Sequence, residues 1–341
     1  MSHPPIFLEE TLVNTGGKKT RRNKSRGNSG DILLISPWNQ YDIPKYFIVP
    51  TWLSTLKTMS PFRSTYEVLA QDFRSRGIPT NAPGFCDDPS FLAVERSDPG
   101  YLNNYAAFIA KRPYTPEYLS RAQATISKAA SLLHSELIQT GRLGACVDIS
   151  GILSRILDRE GIWNCGVKGS LTVTFPSETG IKPRYFWSVD HGNFVAGHAW
   201  VFAPPYTVLD VSVKQQPYGE KECAFLPETV LSVETTPATV DVEDIVSPSA
   251  RMEMLRHGVP PSQHLYYGAP CIPDIFSAFP PISVPGLHGA TLKYSPVAIH
   301  APDGSFEEMR NMTFNGLTPW ELYSSKLSAK LHGSDVGPHL A

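Results

Sequence analysis

Between residues 115 and 213 the chain passes from two helical patterns straight into four β-rich runs, an order that admits few folds. Thr115-Pro116-Glu117 is a strong helix start, and Leu119, Ile126, Leu133 and Leu137 carry the apolar stripe to a stop at Gly141. A second stripe, Ile149, Ile152, Leu153, Ile156 and Leu157, shares one face with Cys146 and stops at Gly161, with Arg155 and Arg159 in its later turns. The runs 167–175, 184–189, 198–202 and 207–213 are rich in Val, Thr, Phe, Tyr and Trp and are separated by Pro and Gly. Consecutive strands that follow consecutive helices predict an antiparallel sheet with helices packed against it, an α+β fold.

Three short pieces bring a thiol, an imidazole and a carboxylate in that order: Gly144-Ala145-Cys146-Val147-Asp148, Gly197-His198-Ala199-Trp200 and Leu209-Asp210-Val211. Cys146 falls at a helix start, where free N–H groups and the positive end of the macrodipole favour a thiolate. Asp148 lies roughly 200° further round a helix of 3.6 residues per turn, so it is expected to point away from the thiol and to serve the first turn. His198 and Asp210 sit on strands joined through Ala203-Pro204-Pro205-Tyr206. They share a face directly opposite one another only if the residue numbers of each facing pair add to 408, which needs a three-residue loop or a bulge. Alternation then puts Trp200 and Phe202 on the His198 face, and Leu209, Val211 and Val213 on the face away from Asp210. A carboxylate among β-branched neighbours needs a partner, and an imidazole N–H is a suitable one.

Gly144-x-Cys146-x-Asp148 at the start of a helix ending Asp158-Arg159-Glu160-Gly161-Ile162, then Gly197-His198-Ala199-Trp200-Val201, then Leu209-Asp210, resembles the transglutaminase-like superfamily of cysteine enzymes over residues 120–215. Trp163 stands where that family usually has a proline, and the loop around Pro183 is longer than its simplest members need. The resemblance implies a papain-like core with Cys146 as nucleophile, His198 as general base and acid, and Asp210 as the orienting carboxylate. Gln139, ahead of the nucleophile, is an oxyanion-donor candidate by analogy with papain-like enzymes. His191 is an alternative base. The implied reaction is attack on a peptide or protein amide through a thioester, with water as acceptor in a protease or amidase and an amine as acceptor in a cross-linking acyltransferase. A non-catalytic interaction protein that keeps the fold is the reading from another class.

With 341 residues, 41% of them hydrophobic, the chain can bury a large core, and its formal charge of −2 argues against a globally basic nucleic-acid binder. Basic side chains gather at residues 18–26, inside a segment 1–30 expected to be solvated, with RNA or an anionic surface as the lesser reading for it. Five scattered cysteines without a C-x-x-C pair predict reduced thiols and no zinc site, and no cofactor motif is present. No 18-residue apolar run or signal-type apolar segment is seen, so the expectation is a cytoplasmic enzyme without a membrane span. Residues 31–114 read as loop-rich with one helix near 65–76, residues 115–235 as the catalytic core, and 236–341 as a proline-rich extension. That extension is expected to wrap the core as extended arms and to add no strands.

Overall fold

A computed structural model of the chain describes residues 60–190, 197–302 and 304–333; His191 and the basic segment 18–26 lie outside the described residues. Three helices precede the expected pair: α1 (Tyr66–Ser75), α2 (Pro89–Glu95) and α3 (Leu102–Lys111). The helix expected near 65–76 is α1, started by the Thr65 hydroxyl, which accepts from the Val68 amide. Of the 31–114 region read as loop-rich, residues 31–59 lie outside the described residues, and over 60–114 the reading is corrected to three helices around one core. Phe73, Phe85, Phe91, Tyr105 and Phe108 form a buried aromatic cluster that also takes in Trp163 and Cys165. Rings dispersed between prolines carry no helical period in sequence, yet edge-to-face packing such as Phe73 on Phe108, with centroids 5.5 Å apart, gives them one core. Trp163 joins it through its backbone as well, donating its N–H to the Tyr118 hydroxyl at 2.8 Å, a bond that a proline there could not make.

Helix α4 (Pro116–Thr140) is capped by the Thr115 hydroxyl and closes on Gly141 in the left-handed region, as its sequence predicts. Helix α5 (Cys146–Arg159) begins at the cysteine itself. Its stripe of Ile149, Ile152, Leu153, Ile156 and Leu157 is fully buried against α4 residues Ile126, Leu133 and Leu137.

The strands are β1 (Cys165–Thr174), β2 (Arg184–Phe186), β3 (His198–Ala203), β4 (Tyr206–Asp210), β5 (Val230–Ser232), β6 (Thr236–Pro237), β7 (Ile282–Pro285) and β8 (Thr291–His300). They form one curled antiparallel sheet in the order β5-β4-β3-β1-β8-β7-β6, with β2 pairing the far half of β1. The extended-arm reading of residues 236–341 is therefore corrected, because β8 lies at the centre of the sheet and pairs with β1 from Gly166–His300 to Thr174–Thr291. Pro296 stays in this central strand beside Gly169, where the register shifts between Lys168 and Gly169. An irregular ladder at that point accommodates the missing donor. One sheet face, with Val201, Ala203, Leu209 and Val211, joins the α4–α5 core. The other face, with Val167, Trp200, Val208, Leu292 and Tyr294, lines the concave core.

The C-terminal end of α5 is held by buried charge. Arg155 pairs with Asp87 and also donates to the carbonyls of Pro302 at 3.1 Å and Gly304 at 2.9 Å, tying α5 to the aromatic region and to the chain beyond β8. Asp158 accepts from Asn164 at 2.9 Å, and burial pushes its carboxyl up to about 7 despite the pull of Arg155. A carboxyl raised in the folded state stabilises fully below about pH 4, and that contribution is lost as pH rises through about 7. Relative to Asp158→Asn, which has no such titration, the wild-type chain is expected to lose roughly 2–3 kcal/mol between pH 5 and pH 8 in chemical denaturation. A stability difference that stays constant across that range contradicts the assignment.

Candidate active site

Cys146 stands at the first position of α5 and is 3% exposed. The loop before it is pinned by the Gly144 N–H donating to the Gln215 carbonyl at 2.8 Å, with Gly144 at φ 71°. The second turn is anchored to β3 by the Ser150 hydroxyl, which donates to the Ala199 carbonyl at 3.0 Å. Asp148 faces away from the thiol as expected, held by Arg142 at 2.5 Å and by Asn311 at 2.6 Å. The sulfur itself lies 4.0 Å from the carbonyl oxygen of Gly197. Gly197 has no room for a side chain, since a Cβ would come within 2.4 Å of the Gly169 carbonyl, and this close approach lets the start of β3 pack against β1.

The β3–β4 turn sets which groups meet. Ala203 pairs with Tyr206 across the two residues Pro204 and Pro205, a register that would put Asp210 on the face opposite His198. The next pair is Val201 with Leu209, so Phe202 of β3 opposes both Thr207 and Val208 of β4. That extra residue is a bulge, and it returns Asp210 to the His198 face. Burial follows the switch, with Tyr206 and Leu209 in the α4–α5 core and Val208 in the concave core. The expected sum of 408 is thus corrected to 410, and His198 and Asp210 are diagonal neighbours, with Asp210 in register with Trp200. Val213, expected beside Leu209 and Val211, lies instead in the concave core, because β4 ends at Asp210 and the chain turns away.

His198 Nε2 and Asp210 Oδ2 are 2.5 Å apart, and the two residues are 1% and 0% exposed. The carboxylate accepts three further hydrogen bonds: from the Ser212 N–H at 2.9 Å and the Ser212 hydroxyl at 3.1 Å on Oδ1, and from the Tyr294 hydroxyl at 3.0 Å on Oδ2. The imidazole is enclosed by Phe186, Trp200 and Tyr294, with ring centroids 6.3, 6.4 and 6.1 Å away. Burial pushes its pKa down, but the charge and hydrogen bond of Asp210 outweigh burial and Cys146 adds to them, so His198 is raised to about 10. Its other nitrogen, Nδ1, is buried and has no completed hydrogen bond. With Nε2 taken by Asp210, Nδ1 is the nitrogen left for the thiol.

Gln139 is exposed in the last turn of α4, and the glutamine whose backbone meets the loop before Cys146 is Gln215. Ser212 and Tyr294 were not singled out in the sequence. Asp210-x-Ser212 does carry a local signal, since an aspartate that accepts from the N–H two residues on makes an Asx turn. Tyr294 carries none, being 84 residues from Asp210 on a strand read as an extended arm. All five cysteines are unpaired, and Cys86 and Cys165 are deeply buried, which pushes both thiols up and keeps them protonated. Among the described residues no group of three His, Cys, Asp or Glu side chains is placed to hold a metal ion, and no helix is long and apolar enough to cross a membrane. Comparison of the chain with protein-family models, with curated proteins and with solved structures found no match.

Asp210→Asn keeps a hydrogen-bonding group beside Nε2 and removes the charge that opposes burial. Histidine NMR titration of that variant is expected to bring His198 from about 10 to below its ordinary value of 6.5. A midpoint that stays near 10 contradicts the electrostatic account.

Proposed function

We propose that this chain is a thiol enzyme of the transglutaminase-like type, built on a papain-like core, that opens a peptide or protein amide through a thioester on Cys146. One observation carries the reading: Asp210 occupies Nε2 of a buried imidazole, which leaves Nδ1 for a cysteine at the first position of a helix. An imidazolium beside a helix N-terminus favours the thiolate, the attacking species.

The Cys146 thiolate adds to the amide carbonyl carbon, and the carbonyl π pair moves onto oxygen. The N–H groups at the start of α5 are suited to stabilise that oxyanion. When it collapses, the C–N bond breaks, the Nδ1 proton of His198 passes to the departing amine, and the acyl group remains on sulfur. Water then gives a proton to Nδ1 as it adds to the thioester, and carboxylic acid and thiolate are released. Throughout, Asp210 holds the ring in one orientation and stabilises its charged form. Hydrolysis is the reading we favour, with a peptide or protein as substrate. An amine in place of that water gives the acyltransferase reaction with the same residues.

Intact-mass analysis after incubation with p-nitrophenyl acetate, a small acyl donor, is expected to show one acetyl group on Cys146 and none on Cys86, Cys165, Cys223 or Cys271. Cys146→Ala and His198→Ala are each expected to lower turnover at least about a thousandfold with unchanged circular dichroism, and Asp210→Asn by orders of magnitude. Turnover that survives Cys146→Ala rules out the thioester route. Adding a primary amine to the assay separates the acceptors, since only an acyltransferase converts the acyl-enzyme into amide faster than into acid.

A further inference from the structure

We infer that Tyr294 is a positioning residue that sets how tightly His198 holds its proton, by drawing on the same carboxylate oxygen, Asp210 Oδ2, that the imidazole uses. The inference rests on the Cys146–His198–Asp210 reading and adds to it a residue 84 positions beyond Asp210.

Tyr294 is held in place independently of that bond. In the middle of β8 it is paired with Leu171 on one side and Ile282 on the other. Its ring lies edge-on to Trp200 with centroids 5.1 Å apart and contacts the imidazole at 6.1 Å. Tyr294 and Asp210 are both 0% exposed, so water does not compete for the hydrogen bond. Burial, and then the nearby Asp210 charge, raise the Tyr294 hydroxyl well above its ordinary value, so it remains a donor throughout the range in which His198 titrates.

The carboxylate divides its negative charge among its donors. Oδ1 is met by the amide and hydroxyl of Ser212, and Oδ2 by His198 and Tyr294. Each donor other than the imidazole takes up charge that would otherwise pull on the imidazolium. Ser212 acts on the distant oxygen, and Tyr294 on the one that faces the ring. The titratable groups around this pair are Cys146 from α5, Asp210 from β4, Tyr294 from β8 and Tyr218 from the loop after β4. Tyr218 is in turn acted on by Glu222 and Arg184, an ion pair at 2.9 Å. Of the two tyrosines, Tyr294 is the one whose hydroxyl reaches the carboxylate, while the Tyr218 hydroxyl is buried without a partner.

Tyr294→Phe in the full chain removes the donor and keeps the ring that packs on Trp200. Histidine NMR titration between about pH 7 and pH 12.5 is expected to move the His198 midpoint upward by about one unit, the scale of one hydrogen bond to a charged group after partial compensation. An unchanged or lowered midpoint in a folded Tyr294→Phe protein overturns the inference. If that variant does not fold, 3-fluorotyrosine at position 294 keeps the ring and hydroxyl and makes a stronger donor. The midpoint should then fall, and a value that stays or rises overturns the inference. Both titrations read the imidazole directly, so they report on Tyr294 even if no acyl group ever forms on Cys146, which is how the proposed function itself would fail.

Discussion

A single extra residue in β4 decides whether His198 and Asp210 meet at all. Two residues, Pro204 and Pro205, make the turn, and the ladder they start would send Asp210 toward α5, among Ile149, Leu153 and the other apolar side chains of that core. A carboxylate left there without a partner costs several kcal/mol. Because Phe202 faces two residues of β4, the strand changes sides, and the charge arrives where an imidazole, a hydroxyl and the Ser212 turn await it. The bulge also allows Tyr206 and Leu209 to stay in the helix-side core, so the apolar pattern of β4 and the placement of its acid are reconciled by one local irregularity.

Two buried charge clusters sit at the two ends of α5, and their differences are instructive. At the N-terminal end, Asp210 accepts four hydrogen bonds, and the imidazole beside it is held in its charged form. At the C-terminal end, Asp158 has Asn164 at 2.9 Å but Arg155 only at 3.5 Å, while the Arg155 guanidinium spends its best contacts on Asp87 and two carbonyls. Hydrogen bonds made to the charged form decide which carboxylate tolerates the interior. The helix is therefore fixed at both ends by polar contacts and along its length by an apolar stripe, which fixes its axial position more closely than the stripe alone would.

What was legible in the sequence follows the range of the forces involved. Both helices around Cys146 could be read because their caps and periods are local: Thr115, Gly141, Cys146 and Gly161 are each within a turn of what they terminate. The three site residues were legible because their neighbours in sequence are unusual, a thiol at a helix start and a carboxylate in a β-branched run. The bulge was only partly legible, since the turn length shows that the faces conflict without showing how the strand resolves it. Strand β8 was not read, because Pro296 within it and Pro285 at the end of neighbouring β7 argue against a sheet there, and only pairing with β1 reveals that the ladder tolerates a proline at an irregular position. The aromatic region failed for a related reason. Rings such as Phe73 and Phe85 select one another across space, and no local window contains that choice.

The placement of β8 has a consequence for the order of events as the chain is made. Strands β1, β3 and β4 emerge early, but β1 remains an open edge until residues 291–300 arrive to pair with it. Through that interval the Asp210 carboxylate lacks its tyrosine, and the concave core lacks Leu292 and Tyr294. Pairings of such long sequence separation form late, after the entropy of closing the intervening loop has been met. A nascent chain that already contains the thiol, the imidazole and the carboxylate is thus without the last wall of the chamber that orders them. Assembly of the thiol, imidazole and carboxylate is in this way tied to the arrival of β8, and a chain stalled before the eighth strand carries the three groups without the wall that encloses them.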